Sequence, residues 1–283
     1  MKQYTAWMVD LKGSREYGTS DRSDIQSHIT AVCTVLNEIF APSLERQVAF
    51  SAGDELQGLF RTSAAAYCCA RLFRMLLWPA QVRSGLGAGG WEIRMPGAGT
   101  TAQDGQAYHR ARAAIAQAAV QDECPALFHS GSDLDPYINF AIETAIRLSR
   151  HGTSTQNELM LLTELCYPVT VPGAMELDRL GLLAEVLHDR SRYGYYSRSE
   201  KRDLFGSLTR PPEVVTPVYA DMEMPGLCIS AGKLRGMPTT LSQLAGISRQ
   251  SVEKTLKNAN IYSARNAAIV ALRLLAQAEE REI

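Results

Sequence analysis

The segment over residues 47–60 constrains the fold most, because two apolar runs flank an acidic centre that contains a glycine. Apolar residues on both sides of Gly53-Asp54-Glu55 predict a β-hairpin with its carboxylates at the turn. An earlier strand-like run over residues 4–9 ends at Asp10. If the two strands are neighbours, Asp10 and Asp54 meet in a two-carboxylate site that suits Mg²⁺ or Mn²⁺. The alternative is an ordinary turn, since Gly and Asp populate turns for purely local reasons.

The composition is that of a globular protein and excludes a polyelectrolyte. The chain has 283 residues, of which 46% are hydrophobic and 21% charged, and its net charge is −1. Any basic binding surface is therefore local. The six cysteines show no Cys-x-x-Cys pair and no zinc-ligand spacing. We expect buried free thiols in a cytoplasmic protein that does not associate with a membrane, since neither a signal peptide nor a long apolar span is found.

The elements of the first 90 residues alternate in a recognisable order. Apolar residues at helical spacing predict a helix over residues 24–41. A second helix is predicted from Ser63 to the residue before Pro79, and a further strand over residues 82–87. The resulting β-α-β-β-α-β order is that of a ferredoxin-like sheet with both helices on one face. The sequence thus predicts an α+β protein with a ferredoxin-like domain over residues 1–130, followed by an all-α C-terminal region.

A helix over residues 104–120 carries two candidate binding residues. Asp104 is the predicted cap of this helix. Tyr108 and Arg112 are four residues apart and share a face, and the Arg112 guanidinium can hold a phosphate in a bidentate manner. The glycines over residues 85–90 match the dinucleotide-binding fingerprint in spacing only, because no helix is predicted to follow them.

The middle of the chain is less clearly organised. Residues 131–167 are predicted to form a helical connector, and residues 168–237 an insertion with a short helix over 175–188. Within the insertion, residues 190–198 interleave cations with tyrosines. Such a run can stack on bases and pair with phosphates, or it can be a loop that packs on a neighbouring element.

Residues 238–283 carry the spacing of a helix-turn-helix that ends the chain. Thr239 or Thr240 is the predicted cap of its first helix, Gly246 occupies the turn, and Ser248 caps the second helix. The exposed positions at and after this cap have side chains that read bases and phosphates: Ser248, Arg249, Gln250, Ser251, Lys254 and Lys257. These residues predict DNA binding, with a helical hairpin inside a bundle as the alternative.

Together these motifs resemble the SatD-like family of bacterial proteins. The resemblance rests on residues 9–15, 53–58, 104–112 and 246–252, which occur in the family's order. It covers residues 1–120 and 238–275, and it makes residues 170–237 an insertion.

More distantly, the N-terminal half resembles the palm-type domains of class III nucleotidyl cyclases and GGDEF diguanylate cyclases. In those families a strand-end aspartate and a hairpin acid bind two metal ions, which implies Asp10 and Asp54 as the metal ligands here. The resemblance also implies catalytic roles for Glu55 and Arg112. It further implies contacts to a nucleoside triphosphate from Leu11, Lys12, Gly13, Ser14, Arg15, Gly53, Tyr108 and Arg112.

These expectations combine into a cytoplasmic bacterial regulator. A palm domain that binds a nucleotide with Mg²⁺ is coupled to a DNA-binding helix-turn-helix, in a homodimer. One alternative is an active metal-dependent nucleotidyl cyclase or nucleotidyltransferase that makes a nucleotide signal, and another is a non-catalytic interaction scaffold. Phe50 stands where the cyclases have a base-selecting lysine, and Ala52 and Leu56 depart from the GGDEF signature. We therefore expect slow turnover or none.

Overall fold

The protein is a mixed α+β chain whose main sheet lies in its N-terminal part and whose C-terminal part is mainly helical. The computed structural model describes residues 2–121, 124–149, 152–197, 204–205, 215–223 and 227–281. The elements up to residue 129 are β1 (Tyr4–Leu11), α1 (Thr19–Ile39), β2 (Leu44–Ala52), β3 (Glu55–Phe60), α2 (Ser63–Leu77), β4 (Val82–Gly89), a 3₁₀ turn (Thr100–Ala102), α3 (Gln106–Val120) and β5 (Ala126–His129).

The main sheet has the strand order β2-β3-β1-β4-β5. The central strand β1 pairs antiparallel with β3 and with β4, and β5 adds a parallel edge strand to β4. Side chains alternate along β1 between two hydrophobic clusters. Trp7, Val9 and Leu11 belong to the main core, whereas Tyr4, Ala6 and Met8 belong to a smaller core on the other face. Asp10 follows this alternation and therefore lies on the face of the smaller core.

Helices α1 and α2 cover the main-core face. Helix α1 begins at Thr19, five residues before the predicted start, and ends at Ile39. Helix α2 begins after Thr62, whose side chain accepts a hydrogen bond from the Ala65 amide, and it ends two residues before Pro79. Nearly the whole circumference of α2 is buried, because the C-terminal helices pack on the side of it that faces away from the sheet.

Helix α3 covers the other face and rests directly on the β4 backbone. A side chain at Gly85 or Gly87 would overlap backbone atoms of Ala111, and one at Gly89 would come within 3.0 Å of the Ala107 nitrogen. These glycines therefore permit close packing of a helix on a strand rather than the cradling of a dinucleotide. The predicted cap is wrong in detail, since Gly105 is the N-cap and no side chain caps the helix.

The remaining elements show that the region after residue 130 is not all-α. They are α4 (Asp135–Ser149), α5 (Ser154–Cys166), β6 (Val169–Thr170), a 3₁₀ turn (Leu177–Arg179), α6 (Leu182–Arg190), α7 (Gly194–Ser197), β7 (Val218–Tyr219), α8 (Met237–Ala245), α9 (Arg249–Asn258) and α10 (Ile261–Arg281). Strands β6 and β7 form a small parallel pair, and the helix predicted over 175–188 is replaced by the 3₁₀ turn and α6. No helix in the described part combines the length and apolarity that spanning a bilayer requires.

A buried ionic group joins the N-terminal unit to the C-terminal helices. Glu164 of α5 accepts two hydrogen bonds of 2.7 Å from Arg71 of α2 and also binds the Arg265 guanidinium of α10. The Val169 amide donates to the same carboxylate at 3.1 Å. One continuous hydrophobic cluster also includes residues from Trp7 to Ala278. The C-terminal helices therefore pack onto the sheet layer and share its core.

The tyrosine-rich run after α6 is a packing element. Arg190 is fully buried, its Nη2 lies 2.8 Å from the Tyr196 hydroxyl, and it forms an ion pair of 3.2 Å with Glu158. The Leu204 amide donates to the other oxygen of Glu158 at 2.7 Å. Of the two interpretations of this run, base stacking and packing, the structure supports packing for the described residues up to 197.

Candidate functional site

Asp10 lies at the end of β1 beside a cation. In the β1–β4 register it pairs with Arg83, and the distance from Arg83 Nη1 to Asp10 Oδ2 is 3.8 Å. Its Oδ1 atom is buried and has no hydrogen-bond partner among the described residues. A buried carboxylate oxygen without a donor is costly unless a cation or proton satisfies it.

The hairpin between β2 and β3 brings two further carboxylates to the same end of the sheet. Ala52 pairs with Glu55, so Gly53 and Asp54 form a two-residue turn, and Gly53 has φ +60°. Glycine adopts that backbone conformation without strain. Because Val9 of β1 pairs with Leu56 of β3, the next position outward places Asp10 beside Glu55 across the strands.

These acids form one electrostatic group. Partial burial is the largest cause that raises the pKa of Asp10, and the negative charges of Asp54 and Glu55 raise it further. The Arg83 guanidinium acts in the opposite direction. Since neighbouring carboxylates disfavour one another's ionised forms, a divalent cation bound among them would relieve their repulsion.

The turn after β1 lies next to these acids. Leu11 is buried, and the Lys12 amide donates to the Gln81 carbonyl at 2.8 Å. Gly13 has φ +65°. The Ser14 carbonyl accepts two hydrogen bonds from Arg22 of α1, which fixes the turn against that helix, and Arg15 is exposed.

Tyr108 is not brought to the acids. It is almost fully buried in the smaller core with Tyr4, Ala6 and Trp91, towards the start of β1, and burial raises its pKa to about 12. Asp10 lies four residues beyond Ala6, which is roughly 13 Å along the strand. Arg112, one turn further along α3, is exposed. The shared face that the four-residue spacing predicts thus contains one core residue and one surface residue.

Carboxylates of this kind could bind a metal ion that a ligand also coordinates. Among the described residues, no group of three or more His, Cys, Asp or Glu side chains is arranged to hold a metal ion. Mg²⁺ commonly binds to one or two carboxylates and completes its shell with water and substrate phosphates. Asp10, with its unbonded Oδ1, and Asp54 could supply those carboxylates, and the Leu11 carbonyl is the nearest backbone ligand in sequence.

A cationic cleft adjoins this site, and sequence reasoning missed it. It is lined by Lys12, Arg74, Trp78, Arg83, Ser149 and Asn157, with apolar side chains between them. We call it the cationic cleft. Arg83 faces both Asp10 and the cleft. No motif marks these residues, because they come from the turn after β1 and from four separate elements, α2, β4, α4 and α5, that only the strand register and helix packing bring together.

Helices α8 and α9 are joined by a short turn at Gly246, which has φ +61°. Ser248 caps α9 by accepting a hydrogen bond of 3.2 Å from the Ser251 amide, as predicted, whereas α8 begins at Met237 after Gly236 rather than at a threonine cap. Val252 and Leu256 anchor α9 in the core. Its polar residues are exposed: Arg249, Gln250, Ser251, Lys254 and Lys257. Lys257 pairs with Glu253 at 3.1 Å.

Comparison with known proteins identifies the family. The sequence model of the SatD family matches residues 4–156, which is more than half of the chain and includes Asp10, the hairpin acids and α3. Searches among curated proteins and among solved structures give no match. The family match confirms the resemblance seen in the N-terminal motifs, and the chain belongs to the SatD family.

Proposed function

We propose that this protein is a regulator in which the N-terminal unit binds a nucleotide with a divalent metal and α9 binds DNA. The observation that carries the proposal is the grouping of Asp10, Asp54 and Glu55 at one end of the sheet, with Arg83 beside them. Carboxylates for a metal and cations for phosphates are the two components of a metal–nucleotide site. The strand order β2-β3-β1-β4, with α1 and α2 on one face, supports a ferredoxin-like palm as the scaffold.

The DNA-binding half of the proposal is supported by the form of α9. Two buried residues anchor one side of this short helix, and its other side exposes Arg249, Gln250, Lys254 and Lys257. This pattern suits the second helix of a helix-turn-helix, whose N-terminal residues contact base edges in the major groove. A homodimer would present two such helices about 34 Å apart, one turn of DNA.

The packing offers a connection between the two sites. Helix α9 contacts α5 and α10. Glu164 of α5 binds both Arg71 of α2 and Arg265 of α10, so the two helices that contact α9 are also connected to α2. A ligand that binds one arrangement of α2 and α5 better than another would shift the equilibrium between the two arrangements by that difference in affinity. The position of α9 would change with the arrangement of α5.

Calorimetry tests the nucleotide half. The protein is titrated with each nucleoside triphosphate in Mg²⁺ and again in EDTA. The test variant is Asp54→Asn, and the matched control is Asp133→Asn, which changes an exposed acid in the loop before α4. We expect affinity that requires the metal, falls about tenfold or more in Asp54→Asn and is unchanged in Asp133→Asn. Equal affinity in EDTA, or in both variants, would refute the two-carboxylate site. Prompt release of pyrophosphate that Asp10→Asn abolishes would instead favour the cyclase or transferase alternative.

Mobility shifts at several salt concentrations test the DNA half. Lys254→Ala should weaken binding to all sequences and lower the salt slope by about one. Arg249→Ala should relax the preference at one base pair, at a cost of roughly 1–3 kcal/mol. If the protein shows no salt-dependent DNA binding, with or without nucleotide, α8 and α9 serve only in packing and the regulator proposal fails.

A further inference from the structure

We infer that the cationic cleft binds the phosphate groups of a phosphorylated ligand, and that this ligand bridges the sheet and helix α5. The inference deepens the proposed function, on which it rests for one point only: the phosphates are taken to belong to the nucleotide whose metal Asp10 and Asp54 hold. The cleft lies at the end of the sheet where β1 stops and β4 starts, between α2, α3, α4 and α5.

The first argument is charge. Lys12, Arg74 and Arg83 all line the cleft, and none of its described lining residues is acidic. Arg74 donates to the Ser149 hydroxyl at 3.2 Å, so its guanidinium is held against the cleft wall. Arg83 is also paired with Asp10 at 3.8 Å, but the cleft lining itself is basic and therefore suits an anionic ligand such as phosphate groups.

The second argument is the apolar part of the lining. Trp78, Met75, Val82 and Met160 line the cleft together with the cations. Trp78 is only partly buried, whereas Trp7 and Trp91 are buried in the cores. The exposed part of its indole offers a stacking surface for a base. The cavity volume of the cleft is about 80 Å³, which suits phosphate groups and is below the roughly 300–1,000 Å³ of pockets that enclose a whole ligand of nucleotide size.

The third argument is position relative to the acids. Lys12 follows Asp10 by two residues, so their Cα atoms are at most about 7 Å apart. Arg83 lies between Asp10 and the cleft. Phosphates that enter the cleft from this side would lie next to a cation held by Asp10 and Asp54, as metal-bound phosphates require.

The cleft wall also belongs to the C-terminal helices. Ser149 ends α4, and Asn157 and Met160 belong to α5, the helix that packs against α8 and α9. A phosphorylated ligand that contacts Arg74, Arg83 and Asn157 together would therefore favour one spacing between the sheet and α5. In this arrangement the ligand site and the helix that presents α9 share a wall.

Two probes separate the cleft from the metal site. Inorganic pyrophosphate without metal tests the cleft alone, and ATP with Mg²⁺ tests the cleft and the acids together. The variants are Arg74→Gln and Lys12→Gln, and the matched control is Arg235→Gln, an exposed cation of the segment before α8 that does not line the cleft. Arg74→Lys tests rescue by a retained charge. Because Arg74→Gln removes a hydrogen bond to α4, Lys12→Gln in the surface turn decides the question if the first variant does not fold.

We expect pyrophosphate affinity to fall about tenfold or more in Arg74→Gln and in Lys12→Gln, to recover in part in Arg74→Lys, and to remain unchanged in Arg235→Gln. Nucleotide binding should also quench the fluorescence of Trp78, and Trp78→Phe should lose this signal. Equal pyrophosphate affinity in the wild type and both cleft variants overturns the inference, as does a loss in Arg235→Gln alone. Pyrophosphate binding that depends on Arg74, without any metal-dependent nucleotide binding, supports the cleft and refutes the proposed function, in which case the phosphates belong to another metabolite.

Discussion

Replacing Glu164 by Gln should destabilise the protein strongly, because two buried guanidiniums depend on this carboxylate. Arg265 and Arg71 have no comparable described acid near them, and both Glu164 oxygens accept from them. Burial alone would raise the pKa of Glu164, but the charges of Arg265 and Arg71 outweigh it and lower the pKa from 4.5 to about 2. A tenfold change in proton affinity is worth about 1.4 kcal/mol, so this lowering is worth roughly 3 kcal/mol.

The expected loss in Glu164→Gln is larger than that figure, because the amide also turns a donor towards a guanidinium. Removing one partner of a buried ion pair costs about 3–5 kcal/mol, which lowers the melting temperature by roughly 6–10 °C in a chain of this size. Urea unfolding and calorimetry measure both quantities. The matched control is the triple variant Arg71→Met, Glu164→Leu, Arg265→Met, which removes all three charges and should cost much less than the single change.

The same group determines a pH dependence of stability. A carboxyl whose pKa is lower in the folded state contributes stability that is present above its unfolded pKa and is lost as the pH falls towards the folded value. The wild type should therefore lose this contribution between about pH 4.5 and pH 2, and Glu164→Gln should lack that loss. If Glu164→Gln is less than about 1 kcal/mol below the wild type at neutral pH, Glu164 does not hold α2 and α10 together in the way described.

Three further outcomes follow from the packing and the charges. Gly87→Ala should lower the free energy of unfolding by about 1–3 kcal/mol or more, since the new methyl group overlaps the backbone of α3. The control Gly99→Ala, whose methyl group meets open space, should be nearly neutral. Equal urea midpoints for the two variants would contradict the close packing. The pKa of Asp10, followed by carbon-13 NMR, should fall in Asp54→Asn and rise in Arg83→Gln, because the first change removes a like charge and the second an opposite one. A thiol reagent should modify Cys228 quickly and the other five cysteines slowly, since only Cys228 is exposed; a native count of two or more fast thiols would contradict the burial of the rest.

The elements that depend on local pattern were predictable from the sequence. The alternation along β1, the glycine of the hairpin turn and the helical spacing in α1 and α2 each leave a signature within a few residues. The Ser248 cap of α9 is of the same kind. Even here the limits of α1 and α8 were displaced, because their first turns have no side-chain cap to mark them.

The features that depend on register and long-range packing were not predictable. Arg83 lies beside Asp10 only because β1 and β4 pair in one register, and Arg71 meets Glu164 across 93 residues of sequence. The strand β5 has four residues, too few to show a period. The prediction for Tyr108 failed for a related reason. The four-residue spacing predicted that Tyr108 and Arg112 share a face of the helix, but the glycines of β4 determine that this part of α3 faces the core.

Helix α3 packs directly on the backbone of β4 at its glycines, so α3 can serve as a fixed reference against which movements of other elements are measured. Because no layer of side chains separates the helix from β4, changes of rotamer cannot absorb movement between them, so α3 and the sheet move as one body. A spin label at the exposed Arg112 therefore reports the frame of the sheet, and a second label at Lys254 reports α9. The distance distribution between the two labels, recorded with and without ligand, would measure any displacement of α9 directly as a length. A binding measurement would report only a change in affinity.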